Sequence, residues 1–133
     1  MDRVFLDANV LFSAAYRLNA GLLQLWRLKD VSLCTSRYAL EEARINLSDE
    51  SQRERLARIS TKLEIFDAID DELPPKILLP EKNVPILLAA IRAQATHLLT
   101  GDLRHFGPFF GRKIAGIVIL APGDYLKTRK HSS

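Results

Sequence analysis

Three carboxylates stand out by where they fall along the chain. Asp7 ends the apolar run Val4-Phe5-Leu6, Asp102 follows His97-Leu98-Leu99-Thr100, and Glu42 lies in the helix expected to open at Ser36. In open parallel sheets ligands bind beyond the carboxyl ends of the strands, where Asp7 and Asp102 would stand. Acids brought together from two strand ends and a helix make an all-oxygen site for a hard divalent cation such as Mg²⁺ or Mn²⁺. Without a cation they would repel and their pKa values would rise. Glu41 is about 100° around the helix from Glu42, so only one of the two can face a shared site. Each acid also has a plainer reading: Asp7 as the N-cap of the next helix, Asp102 as a turn residue, Glu42 as a solvated helix residue. The combination favours the metal site.

The elements that must position these acids are legible as hydrophobic patterns. Val4–Leu6 reads as a buried strand, Ala8–Arg17 and Gly21–Lys29 as helical pieces, and Val31–Thr35 as an alternating strand. Ser36 is a good N-cap for a helix over Tyr38–Leu47. Leu56, Ile59, Leu63, Phe66 and Ile69 recur at helical spacing and predict a helix over Glu50–Ile69, with an acidic end at Asp67–Glu72, stopped by Leu73-Pro74-Pro75. Ile77-Leu78-Leu79 is a further strand, Val84–Ala95 an inner helix, His97–Thr100 a strand, and Ile114–Leu120 the last strand. Strands alternating with helices imply an α/β domain, a mostly parallel central sheet with helices on both faces. The domain is expected over residues 1–126, with 127–133 as a mobile basic tail.

Composition agrees with one globular domain. The chain has 133 residues, 47% hydrophobic and 26% charged. Its single cysteine, Cys34, excludes an internal disulfide and a Cys-rich zinc site. No apolar stretch is long enough to span a bilayer, and Met1-Asp2-Arg3-Val4 lacks the opening of a signal segment, so a cytoplasmic protein is expected. Net charge is +3, unevenly spread: residues 1–103 carry 13 Lys/Arg against 15 Asp/Glu, while residues 104–133 carry six Lys/Arg against Asp124 alone. A basic end on a near-neutral body suits a polyanion.

The segments Phe5-Leu6-Asp7-Ala8-Asn9-Val10-Leu11-Phe12-Ser13-Ala14, Thr35-Ser36 followed by Leu40-Glu41-Glu42, and Leu98-Leu99-Thr100-Gly101-Asp102 resemble, in order and over nearly the whole chain, PIN-domain ribonucleases. That family includes the VapC-type toxin subunits of bacterial toxin–antitoxin pairs. The resemblance implies a PIN-like fold and a metal-dependent endoribonuclease that cleaves single-stranded RNA. Asp7, Glu42 and Asp102 would hold Mg²⁺ or Mn²⁺, with Asn9, Ser13 and Thr100 supporting them or contacting phosphate; Arg104 is a further phosphate-contact candidate by its place in the loop after Asp102. It also implies a small antitoxin partner that covers the acidic site. The chain departs from the family pattern once. Where an Asp usually opens the helix before the last motif, this sequence has Asn83-Val84-Pro85-Ile86-Leu87, so the fourth metal ligand would be an uncharged amide. Asn before a helix with Pro in its first turn is also a good N-cap. Two other readings remain open: a PIN-fold RNA- or protein-binding module without cleavage, and a metal-dependent small-molecule phosphatase. The phosphatase reading is weakened because Asp7-Ala8-Asn9 lacks a second Asp two residues on.

Other residues draw plainer expectations. His97 and Trp26 are read as packing, Cys34 as a buried small hydrophobe, and His105 as a loop residue beside the site. Arg104, Arg112 and Lys113 are expected to form a basic rim for RNA. The apolar stretches Leu22–Leu28 and Leu56–Phe66 suit either core or a homodimer seam.

Overall fold

Val4, Phe5 and Leu6 follow one another and are all 0% exposed. Neighbouring strand residues point to opposite faces, so this strand is covered on both sides. It is β1 (Asp2–Leu6) in a computed structural model that describes residues 1–67 and 79–131. The other strands are β2 (Val31–Thr35), β3 (Glu64–Ile65), β4 (His97–Leu99), β5 (Lys113–Ile114) and β6 (Ile117–Leu120). They form one six-stranded sheet in the order β3-β2-β1-β4-β6-β5, parallel except for β5, which runs antiparallel to β6. In this order β1 connects forward to β2 on one side, while β4 flanks it on the other. The point where the order reverses therefore lies between β1 and β4, which is where an α/β sheet opens a crevice.

The helices are α1 (Ala8–Ala15), α2 (Arg37–Asn46), α3 (Glu50–Ser60), α4 (Val84–Arg92), α5 (Leu103–Phe106) and α6 (Pro122–His131), with 3₁₀ turns at Gly21–Arg27, Glu81–Asn83 and Gly107–Phe109. Local chemistry sets several boundaries. The Asp7 side chain accepts from Ala8 N and opens α1; Ser36 accepts from Ala39 N and opens α2. Pro85 stands in the first turn of α4, whose Ile86, Leu87, Leu88, Ala89 and Ala90 are all buried, as expected for an inner helix. Leu25, Leu56 and Leu63 are core residues, with Leu22, Trp26, Leu28, Ile59 and Phe66 packed against it, so both apolar stretches turn inward. Cys34 and Trp26 are packing residues as expected, the indole Nε1 donating to Ile59 O at 3.0 Å.

The structure differs from the sequence reading at four places. The helix expected over Glu50–Ile69 ends at Ser60. Ser60 Oγ donates to Ala57 O at 2.8 Å and Thr61 Oγ1 to Arg58 O at 2.7 Å, local bonds that compete with helix continuation. The chain then turns into β3, which pairs with Cys34 and Thr35 of β2. Second, Gly21–Arg27 winds as a 3₁₀ helix. Third, the last strand is a hairpin, β5 and β6 joined at Ala115 and Gly116, whose φ values of 52° and 82° suit a two-residue turn of the primed type. Fourth, α6 carries residues 127–131 of the expected tail as helix, and Arg129 Nη2 donates to Lys29 O at 3.3 Å. Ile77 and Leu78 of the expected strand, the Pro74-Pro75 stop, most of the acidic run Asp67–Glu72 and residues 132–133 lie outside the described residues, and Leu79, which is described, is not in a strand.

Candidate functional site

Asp7 follows β1, and Thr100-Gly101-Asp102 follows β4, on the two sides of the crevice. Backbone bonds carry the strand pairing to this point, Asp7 N donating to Leu99 O and Thr100 N to Leu120 O, each at 3.1 Å. The register therefore brings the two acidic motifs side by side, although 95 positions separate Asp7 and Asp102 in the sequence.

A hydroxyl ties them together. Thr100 Oγ1 donates to Asp7 Oδ2 at 2.8 Å and accepts from Asp102 N at 3.0 Å. Asn9, in the first turn of α1, adds a second bridge. Its Nδ2 donates to Asp7 Oδ2 and Thr100 Oγ1, both at 3.3 Å, and its Oδ1 accepts from Gly101 N at 2.7 Å. Gly101 lies close to this bridge: a Cβ there would stand 3.3 Å from Asn9 Oδ1, so the amide would have to shift by a few tenths of an ångström.

Asp7 is only 4% exposed. Burial pushes its pKa up, the negative charges of Asp102 and Glu42 add to this, and the Thr100 and Ala8 bonds oppose it. Asp102 behaves differently. Burial pushes its pKa up, but bonds from the His105 ring and backbone and from Asn83 outweigh this and hold it below the usual carboxylate value. His105 N donates to Asp102 Oδ1 at 3.1 Å and Nδ1 lies 2.9 Å from Oδ2, so His105 is tied to the acid, not solvated in a loop. Asp102 thereby caps α5 just as Asp7 caps α1.

Asn83 is placed by the 3₁₀ turn Glu81–Asn83 and is 5% exposed. Its side chain makes no capping bond to α4, contrary to the sequence expectation. Nδ2 instead donates to Asp102 Oδ2 at 3.1 Å, and Oδ1 is buried without a hydrogen-bond partner. Tyr38 Oη anchors the same turn to α2 by donating to Lys82 O at 3.0 Å. Burial and the nearby Glu42 carboxylate push the Tyr38 pKa up.

A cavity of about 450 Å³ joins these groups, lined by Asp7, Asn9, Glu42, Asn83 and Asp102 together with Phe12, Asn46, Lys82 and Ile86. Glu41 turns away and pairs with exposed Arg44. Thr100 is buried behind Asp7, while Ser13 lines a neighbouring cavity and Arg104 is exposed outside both. Lys113 is not on a rim of this cavity. It pairs with Val118, which pairs with His97 at the amino end of β4, the opposite end from Asp102. Lys82 and Phe12 are lining residues that the sequence did not single out; the one available signal was that each adjoins or lies within a recognised motif.

The donor set suits a hard cation, since carboxylates and an unpartnered amide oxygen are all oxygen ligands. Among the described residues no three His, Cys, Asp or Glu side chains form a group that could hold a metal as they stand. The acids line one cavity without closing on a common point.

Residues 3–104 match the PIN-domain family. The chain belongs to that family. The match includes Asp7, Glu42, Asn83 and Asp102 and ends before β5. No curated protein matches the sequence of this PIN domain. Its fold is similar to that of a chain of VapBC2 from Rickettsia felis, solved bound to a DNA fragment from its promoter, with TM-score 0.67 and 18% identity over 90% of this chain and 98% of that one. VapBC-1 from nontypeable Haemophilus influenzae gives TM-score 0.57 at 11% identity, over 91% of this chain and 98% of that one. FitAcB from Neisseria gonorrhoeae gives 0.51 at 18%, over 90% and 98%. At these identities the likeness is one of fold. No helix among the described residues is long and apolar enough to cross a membrane.

Proposed function

We propose that this PIN domain is a divalent-metal-dependent endoribonuclease acting on single-stranded RNA. The observation that carries the reading is the shared cavity lined by Asp7, Glu42, Asn83 and Asp102, with the Asn83 Oδ1 buried and unpartnered. Membership of the PIN family and the all-oxygen donor set support Mg²⁺ or Mn²⁺ as the cofactor, held by Asp7, Glu42, Asp102 and the Asn83 amide. Such an ion supplies an acidified water and offsets charge on phosphate oxygens. The chain's own residues do the rest. Thr100 and Asn9 fix the Asp7 carboxylate, His105 and Asn83 fix that of Asp102, and Lys82 brings a positive charge to a pocket that would otherwise repel phosphate. Cleavage of single-stranded RNA by the parent in Mn²⁺, and none by Asp7→Asn, is the result expected; cleavage by both overturns the assignment.

The similar folds come from VapBC and FitAcB assemblies, which supports a small antitoxin-like protein as partner and the toxin of a toxin–antitoxin pair, acting in the cytoplasm, as the role. One observation favours a second reading, a PIN-fold binding module without cleavage. At position 83 an amide already hydrogen-bonded to Asp102 stands in place of a carboxylate. Titrating Mn²⁺ into protein and single-stranded RNA on a gel separates the two, because both bind and only one shortens the RNA.

A further inference from the structure

Phe12 forms a wall of the acidic cavity and also of a second cavity of about 410 Å³ beside it. Tyr16, one helical turn further along, lines only the second. The two rings stack with centroids 5.3 Å apart and an interplanar angle of 28°, and Tyr16 is 54% exposed. An exposed tyrosine is ordinary; a held one is less so. The carboxyl end of α1 is tied down from α3: Arg55 Nε donates to Ala15 O at 3.0 Å, and Arg55 Nη2 and Gln52 Nε2 donate to Tyr16 O at 3.1 and 3.0 Å. The backbone beneath the ring is thus fixed from a separate helix while the ring faces solvent. Around it the second cavity offers Arg17, Ser13 and Gln24, a cation and two hydrogen-bonding side chains.

We infer that Phe12 and Tyr16 form a stacking platform for an unpaired nucleobase of the RNA segment that flanks the bond cleaved in the acidic cavity. The inference rests on the ribonuclease reading and names the subsite that would position its substrate. An aromatic face accepts any base but only an unpaired one, so the platform selects single strands. A cavity of about 410 Å³ is at the small end of ligand pockets and suits one base, not a helix. Continuity through Phe12 places that base beside the cavity that Asp7 and Asp102 line. Arg17 supplies a counter-charge for phosphate that the neighbouring acids cannot.

The test uses the full chain, a short single-stranded RNA carrying 2-aminopurine at successive positions, and the variants Tyr16→Ala and Tyr16→Phe. Stacking quenches the probe. Expected are quenching at one position only, beside the cleaved bond, its loss in Tyr16→Ala, and its retention in Tyr16→Phe. In Mn²⁺, Tyr16→Ala should raise KM about 5- to 10-fold with kcat little changed, the lower end of what a lost base stack costs at an exposed site. Unchanged melting temperature for Tyr16→Ala confirms that the fold survives. If the parent cleaves RNA while Tyr16→Ala keeps its KM and quenching, the platform is overturned and the nuclease reading stands; that is also the outcome if a protein partner uses this surface. If Tyr16-dependent quenching occurs without any cleavage, the nuclease reading falls and the platform is overturned as a substrate subsite, leaving a base-binding surface. Absence of both quenching and cleavage overturns both.

Discussion

Asn83 Nδ2 donates to Asp102 Oδ2 at 3.1 Å, and the Asn83 side chain leaves α4 uncapped. An ionised carboxylate can only accept, so the amide must present its NH₂ to Asp102, and this is what strands Oδ1 in a buried position. The uncharged residue at position 83 therefore holds an acid in place and leaves its own oxygen without a partner.

Asn83→Asp exchanges that bond for carboxylate facing carboxylate. Without metal the variant should be less stable by about 2 kcal/mol, from the lost charged hydrogen bond and the new repulsion. With Mg²⁺ or Mn²⁺ the fourth carboxylate becomes an asset, so metal should bind tighter and cleavage should rise. Thermal melts with and without metal, paired with calorimetry and a cleavage assay, decide it. Equal metal response in the two proteins would show that position 83 takes no part in binding the ion.

Asp7→Asn should abolish cleavage and also change how stability depends on pH. The folded state raises the Asp7 pKa, so it holds the proton more tightly than the unfolded chain. The stability linked to Asp7 is fully present below its unfolded value of about 3.9 and is lost as pH rises through the folded value. Urea unfolding from about pH 4 to about pH 8 should therefore show the parent losing stability relative to Asp7→Asn as pH rises. A constant difference across that range would contradict the burial argument.

Thr100→Val removes the hydroxyl shared by Asp7 Oδ2 and Asp102 N. The expected cost is about 1–3 kcal/mol, because a buried acceptor and a partly buried donor both lose a partner. The Thr100 bond also opposes the rise in the Asp7 pKa, so its loss should move the acid limb of the cleavage pH profile to higher pH. Denaturant melts and pH–rate profiles read the two effects separately.

Lys82 lines the acidic cavity, whereas Lys113 lies level with the amino end of β4. Lys82→Ala should weaken RNA binding and lower the slope of log K against log salt by about one. Lys113→Ala should leave both unchanged. A salt titration of binding to single-stranded RNA, done in EDTA to suppress cleavage, tests the pair. The reverse result would place the basic rim at the sheet edge.

Much of this molecule is written in local pattern. Val4–Leu6, Val31–Thr35 and His97–Leu99 are strands where apolar runs and alternation put them, Ser36 caps α2, and Val84–Arg92 is the inner helix. These features follow from side-chain period, capping chemistry and burial within a few residues of each position. Asp7, Glu42 and Asp102 were also legible as candidates, since strand ends and one helix face are themselves local features. Tertiary structure decided what depends on distant partners. Glu64 and Ile65 continue a helical hydrophobic pattern, yet they form a strand because Cys34 and Thr35 offer unsatisfied backbone groups across the sheet edge. Asn83 carries every sequence sign of a helix cap, but Asp102, 19 residues away, is a charged acceptor within reach and takes its amide. A cap bond is worth about 1 kcal/mol, and a bond to a charged group is worth more.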